Sequence, residues 1–170
     1  MMIREATISD AEDIAKVHVD CWRTTYKDIM PDEVLEQLSY EQRTELWNAN
    51  LSTEDGHLVY VAENEEGEII GFVSGGPEKS GEYPPYGGEI TARYVSSQYH
   101  SLGLGKRLFL RLLQHFNSMD IHSVMVWVLA DNPACTFYER LGAKPVVEQH
   151  IINMGDKNLN MVAYGWLLLG

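Results

Sequence analysis

Two segments of this sequence hold side chains whose type and spacing could do chemistry. The first is Tyr94-Val95 followed by His100-x-x-Gly103-x-Gly105-Lys106. Two glycines this close let a backbone approach a ligand, and the apolar positions that follow, Leu108, Leu112 and Phe116, predict a helix opening at that turn. A helix start aims free N–H groups and its positive dipole end outward, so phosphate is the expected guest. A plain tight turn is the competing reading. Two other phosphate motifs do not fit. A dinucleotide fingerprint needs a third glycine where Leu108 stands, and a P-loop needs Ser or Thr where Arg107 follows Lys106.

The second segment is Asn132-Pro133-Ala134-Cys135-Thr136-Phe137-Tyr138-Glu139-Arg140-Leu141-Gly142. Asn as N-cap with Pro in the first turn opens a short helix, and Gly142 stops it. Ala134, Phe137 and Leu141 share a face, with Tyr138 at its edge as either a core aromatic or a residue at the edge of a sheet. Glu89, on the polar side of a strand, reads by itself as a strand-end carboxylate. Cys21 and Cys135 lie far apart, and no CxxC or Cys/His spacing suggests zinc. Cys135 has no base beside it and reads as small packing.

Elements must hold these residues in place. Ile3–Thr7 reads as a strand, and a capping box of Ser9 with Glu12 leads into a helix carrying Ile14, Val17, His18, Cys21 and Trp22. A second helical region follows Pro31, and a further capping box, Ser39 with Gln42, leads toward Leu46 and Trp47. Leu58–Ala62 and Ile69–Val73 form a hairpin about Asn64–Gly67. Pro77–Gly88 is a loop. Glu89–Val95 is a strand with Ile90, Ala92 and Tyr94 expected on one face and Glu89, Thr91 and Arg93 on the other. Val124–Leu129 is a continuous apolar run, the pattern of a fully buried strand. Two late strands, Pro145–Ile152 and Leu159–Leu167, complete the set.

The 170 residues fit one domain, 1–170, and 45% hydrophobic residues is a globular value. The net charge of -12 argues against nucleic acid. From Ile90 to Met119 the chain carries Arg93, Lys106, Arg107 and Arg111 with no Asp or Glu, a window of +4 in a remainder of -16. A local positive field suits an anionic ligand, and the acidic remainder a cationic second one; a solvated basic helix face is the alternative. No signal peptide or membrane span is apparent, which predicts no membrane partner and a cytoplasmic location.

The two segments together, about thirty residues apart and in this order of elements, resemble the GNAT superfamily of N-acetyltransferases over nearly the whole chain. Val17-His18-x-x-Cys21-Trp22-Arg23-x-Thr25-Tyr26 with Ile29-x-Pro31 resembles a bacterial subgroup of it. The resemblance implies an α/β (α+β) fold: a mixed, mostly antiparallel sheet of about seven strands, splayed in the middle, flanked by about four helices. The split would lie between Glu89–Val95 and Val124–Leu129 and take the pantetheine arm of acetyl-CoA, a cosubstrate used without metal. The backbone of Tyr94 and Val95 would bond that arm, and a backbone N–H there would polarise the attacked carbonyl. The turn of His100, Leu102, Gly103, Leu104, Gly105 and Lys106 would hold the pyrophosphate, and Asn132 would touch the arm. Tyr138, also against the cofactor, would be the general acid to the CoA thiolate, and Glu89 the general base. Trp22 and Tyr26, with Trp47, would line the acceptor pocket. The acceptor would be a small-molecule or peptide amine, and the acidic surface suits a cationic one. The apolar end, Trp166–Leu169, reads as a last core strand or a homodimer contact. Two departures stand out: His100 where the family usually has Arg or Gln, and Ala143 where it often has Phe. A non-catalytic acetyl-CoA-binding sensor or interaction module is the alternative function.

Overall fold

Short apolar runs bounded by turns give the buried strands, and 3.6-residue periodicity in the segments before and between them gives the helices that cover the sheet. The computed structural model describes residues 1–53 and 57–167. Their order is β1 (Met2–Glu5), α1 (Ala11–Thr25), α2 (Asp32–Glu36), α3 (Tyr40–Ser52), β2 (Leu58–Glu63), β3 (Ile69–Pro77), β4 (Gly88–Val95), α4 (Leu104–Ser118), β5 (Val124–Leu129), α5 (Ala134–Arg140), β6 (Lys144–Met154) and β7 (Lys157–Trp166).

The strands form one sheet in the order β1-β2-β3-β4-β5-β7-β6. β4 and β5 run parallel, joined by α4, and the other neighbours are antiparallel. Helices α4 and α5 cover one face, where Leu104, Leu108, Leu112, Phe116 and Tyr138 pack with Ile90, Val95, Val126 and Val128. Helices α1 and α3 cover the other, with Ile14, Val17, Cys21 and Trp47 against Val59, Val61 and Phe72. A smaller cluster of Tyr26, Met30, Leu35, Leu129 and Leu159 closes that face beyond β5.

Two sequence expectations change. The entry into α1 is fixed by Thr7 and Asp10 and not by Ser9 and Glu12. A 3-10 turn, Ile8–Asp10, precedes the helix, and the Asp10 carboxylate accepts the Thr7 N–H at 2.8 Å and both Arg4 guanidinium bonds at 2.8 and 2.9 Å. A carboxylate already gripped by arginine offers the turn a fixed acceptor, which a free serine does not. The second cap is as expected, with Gln42 N donating to Ser39 Oγ at 3.2 Å.

The faces of β4 also differ from strict alternation. Gly75 pairs with Ile90 but Ser74 pairs with Ala92, so Thr91 is an extra residue, a β-bulge. The bulge reverses the alternation after it. Ile90 and Val95 pack on the α4 side, and Ala92 and Tyr94 on the α1 side. Arg93 therefore turns toward α4 and α5, while Glu89 points to the α1 side. At the chain end, Trp166 is buried within β7 and Leu167 is exposed. Leu168 and Leu169, also read as part of that end, lie outside the described residues.

Candidate active site

The sheet opens where the sequence suggested. β4 pairs with β5 only from Gly88 to Ile90. Beyond that, Thr91–Val95 has β3 alongside it and Trp127–Leu129 has β7, but they do not pair with each other. Antiparallel ladders alternate bonded and non-bonded residue pairs. Ser96 N donates to Ile70 O at 2.8 Å, so Tyr94, two residues back, also turns its peptide groups to β3. The groups turned into the split belong to Arg93 and Val95. Of the two backbones expected to face it, Val95 does and Tyr94 does not. The Val95 carbonyl is already occupied, accepting from His100 Nε2 at 2.7 Å and from Cys21 Sγ at 3.5 Å. What Val95 can offer a guest is its N–H.

That histidine bond explains how the unusual His100 is used. A carbonyl only accepts, so Nε2 carries a proton and the ring is tied to β4. Three residues on, Gly103 takes the left-handed conformation, φ 75°, which a side chain there would strain. It caps α4 without any side-chain hydrogen bond, and the first turn of α4 holds no acidic residue. The N–H groups of that turn are thus available, the condition for anion binding at a helix start.

A cavity of about 620 Å³ connects this turn to the split. It is lined by Arg93, Tyr94, Val95, His100, Gly103, Leu104, Gly105, Lys106 and Asn132 together with Cys21, Thr24 and Phe137. Its makeup fits a long ligand with an anionic end: open backbone groups, small residues at 103 and 105, and Lys106 at the turn. The basic window of the sequence divides here. Arg93 and Lys106 face the cavity, and Arg107 and Arg111 lie on the outer side of α4. Leu102 stands outside the cavity, 56% exposed.

Helix α5 enters from the far wall. Asn132 Oδ1 accepts the Ala134 N–H at 2.9 Å, which anchors the helix start, and its Nδ2 donates to Tyr26 Oη at 3.2 Å. Tyr26 Oη lies 3.4 Å from Tyr94 Oη, which accepts Trp22 Nε1 at 2.8 Å. A hydrogen-bonded chain thus runs from α1 through β4 to α5 across the mouth of the split. Burial holds both phenols in their neutral form, raising Tyr26 and lifting Tyr94 well above the usual tyrosine value. Trp22 and Tyr26 therefore stand behind the cavity, braced to it through Tyr94 and Asn132, and neither lines it. His18 stacks on Tyr94 at 5.2 Å and accepts from Trp47 Nε1 at 3.1 Å, and burial pushes it down to about 3.

Tyr138 is buried beside the cavity and not part of its lining. Its ring meets Phe137 and Trp166 edge-on, and its hydroxyl accepts from Arg93 Nε at 3.5 Å. Glu89 lies on the opposite face of the sheet, four residues of strand from Arg93, or about 13 Å along β4. Burial, with Glu78 adding to it, raises the Glu89 carboxyl above the usual range.

Sequence reasoning missed Arg93 as a cavity residue, because strict alternation put it on the wrong face and only the bulge turns it inward. Among the described residues no group of three or more His, Cys, Asp or Glu could hold a metal ion, and no helix is long and apolar enough to cross a membrane.

Comparison with known proteins agrees with this geometry. The acetyltransferase (GNAT) family model matches residues 12–143. The uncharacterized N-acetyltransferase YuaI of Bacillus subtilis (strain 168) is 38% identical over 168 residues, 96% of this chain and 91% of its own. Among solved structures, the paiA N-acetyltransferase of Thermoplasma acidophilum in complex with coenzyme A superposes with a TM-score of 0.76 at 21% identity, covering 97% of this chain and 98% of that one. The putative acetyltransferase yncA of Salmonella typhimurium, with acetyl-CoA, gives 0.72 at 20% identity over 99% of this chain and 94% of that one.

Proposed function

The chain belongs to the acetyltransferase (GNAT) family and is an acetyl-CoA-dependent N-acetyltransferase, and on that footing we propose that it moves the acetyl group to a primary amine of a small molecule or peptide by direct attack, acting as a single domain. One observation carries the reading: the stretch of β4 that does not pair with β5 ends beside a helix start with open N–H groups, with Asn132 and Tyr138 on the facing element.

In this reading the N–H groups opening α4 hold the pyrophosphate, and the pantetheine arm runs along the cavity into the split. The backbone N–H of Arg93 or Val95 polarises the thioester carbonyl, a fixed donor where negative charge develops. The amine approaches from the α1 side. Glu89 is on that side, and its raised affinity for protons suits a base that must take one near neutral pH. At about 13 Å along the strand it acts only through a relay of several waters. Tyr138 is on the other side and gives its proton to the departing thiolate. Base and acid on opposite faces let the amine enter and the thiol leave without crossing. Trp22 and Tyr26 then shape the acceptor side by holding Tyr94 in place.

The acidic chain favours a cationic acceptor such as a polyamine. The test is release of CoA thiol from acetyl-CoA against a panel of amines, with Tyr138→Phe in parallel. Release with one amine class, falling at least a hundredfold in the variant, supports the reading. Acetyl-CoA binding without release for any amine supports a sensor module in its place.

A further inference from the structure

Arg93 is a half-buried cation with no carboxylate partner among the described residues. Three features hold its guanidinium in one place. A Cβ at Gly105 would lie 2.4 Å from Nη1, so the group occupies the space that glycine leaves. The Phe137 ring lies 3.7 Å below the guanidinium carbon. Nε is 3.5 Å from Tyr138 Oη. A cation this confined, stacked on an aromatic ring and beside the positive end of a helix, is placed to serve a neighbour or an anion.

The direction of the Tyr138 contact is fixed by chemistry. Guanidinium has donors and no acceptor, so the phenol oxygen must accept and its only proton must point elsewhere. Within α5 the carbonyls of Phe137, Tyr138 and Glu139 already accept from the N–H groups of Leu141, Ala143 and Gly142. We propose that Arg93 is a positioning residue for Tyr138. By donating to the phenol oxygen it turns the hydroxyl proton into the split, toward the sulfur of CoA, and it stabilises the oxygen once that proton has gone to the thiolate. No bond to Arg93 forms or breaks: the proton leaves Tyr138 for sulfur, and the guanidinium stays protonated. The inference rests on Tyr138 being the acid, and the rival role for Arg93 is a direct grip on the pyrophosphate.

The test compares binding of CoA and desulfo-CoA by calorimetry at pH 9, where much of the free thiol is ionised, in wild type, Arg93→Met, Arg93→Lys, Tyr138→Phe and the double variant. A charge-assisted bond to sulfur predicts that wild type prefers CoA by about tenfold or more. Arg93→Met should lose most of that preference while desulfo-CoA affinity stays within about twofold, which also reports an intact fold. Arg93→Lys should restore part of it, and adding Arg93→Met to Tyr138→Phe should change nothing further. If Arg93→Met weakens both ligands equally, the arginine grips the pyrophosphate and the inference is overturned. If Tyr138→Phe loses the preference and Arg93→Met keeps it, the inference falls and the acid survives. If wild type shows no preference, the role of Tyr138 falls and this inference with it.

Discussion

Gly75 is the residue on which the bulge in β4, and so the direction of Glu89 and Arg93, most depends. A Cβ there would lie 2.6 Å from the Glu89 carbonyl oxygen, 3.1 Å from Leu112 and 3.2 Å from Phe116. The nearest obstacle is backbone in the middle of a sheet, which cannot swing aside. Overpacking of a well-filled site costs about 1–3 kcal/mol, and this one belongs at the upper end. Loss of glycine entropy in the unfolded chain offsets up to about 1 kcal/mol. The net is about 2 kcal/mol, or a fall of about 4–8 °C in melting temperature for a chain of this size. The assay is thermal unfolding by circular dichroism of Gly75→Ala, with Gly87→Ala as control. Gly87 would meet only Ile121, at an ordinary 3.5 Å, so its variant should stay within about 0.5 kcal/mol of wild type. A Gly75→Ala protein that melts with wild type refutes the close approach at the bulge.

Three other outcomes follow from single groups. Because burial raises the Glu89 carboxyl, its charge costs stability at neutral pH and ceases to cost it as pH falls through that raised value; Glu89→Gln should melt higher than wild type at pH 7, converge with it near pH 4, and lose turnover. His18 has its affinity for protons lowered to about 3 from 6.5, so the stability it lends is complete above pH 6.5 and lost below it. Between pH 6.5 and 5 wild type should lose about 2 kcal/mol more in denaturant titrations than His18→Asn, which keeps an acceptor for Trp47 and does not titrate. Asn132→Ala gives up both the acceptor for the Ala134 N–H and the donor to Tyr26, and should melt about 1–2 kcal/mol below wild type.

Much of this was legible in the letters because it depends on local signals. The turn from His100 to Lys106 and the helix after Asn132 announce themselves through glycine and capping chemistry, and those fix where the open N–H groups and a tyrosine go. The order of elements follows from periodicity. The bulge did not show because Glu89–Val95 alternates without a break; the cause sits on the partner strand, at Gly75. The Thr7–Asp10 turn was hidden because its strength comes from Arg4, a residue of another element. The chain from Trp22 through Tyr94 and Tyr26 to Asn132 joins positions up to 106 apart in sequence, which spacing alone cannot relate. Arg93 looked like one charge of a basic window, and its seat over Phe137 exists only once α5 folds back on β4.

The central claim is that the thiol leaves toward Tyr138 from a split in the sheet. Its most direct test is the single-turnover rate of thiol release from saturating acetyl-CoA and the best amine, in wild type and Tyr138→Phe. The account predicts a fall of about a hundredfold or more with acetyl-CoA affinity within about twofold. An unchanged rate in the variant would contradict it.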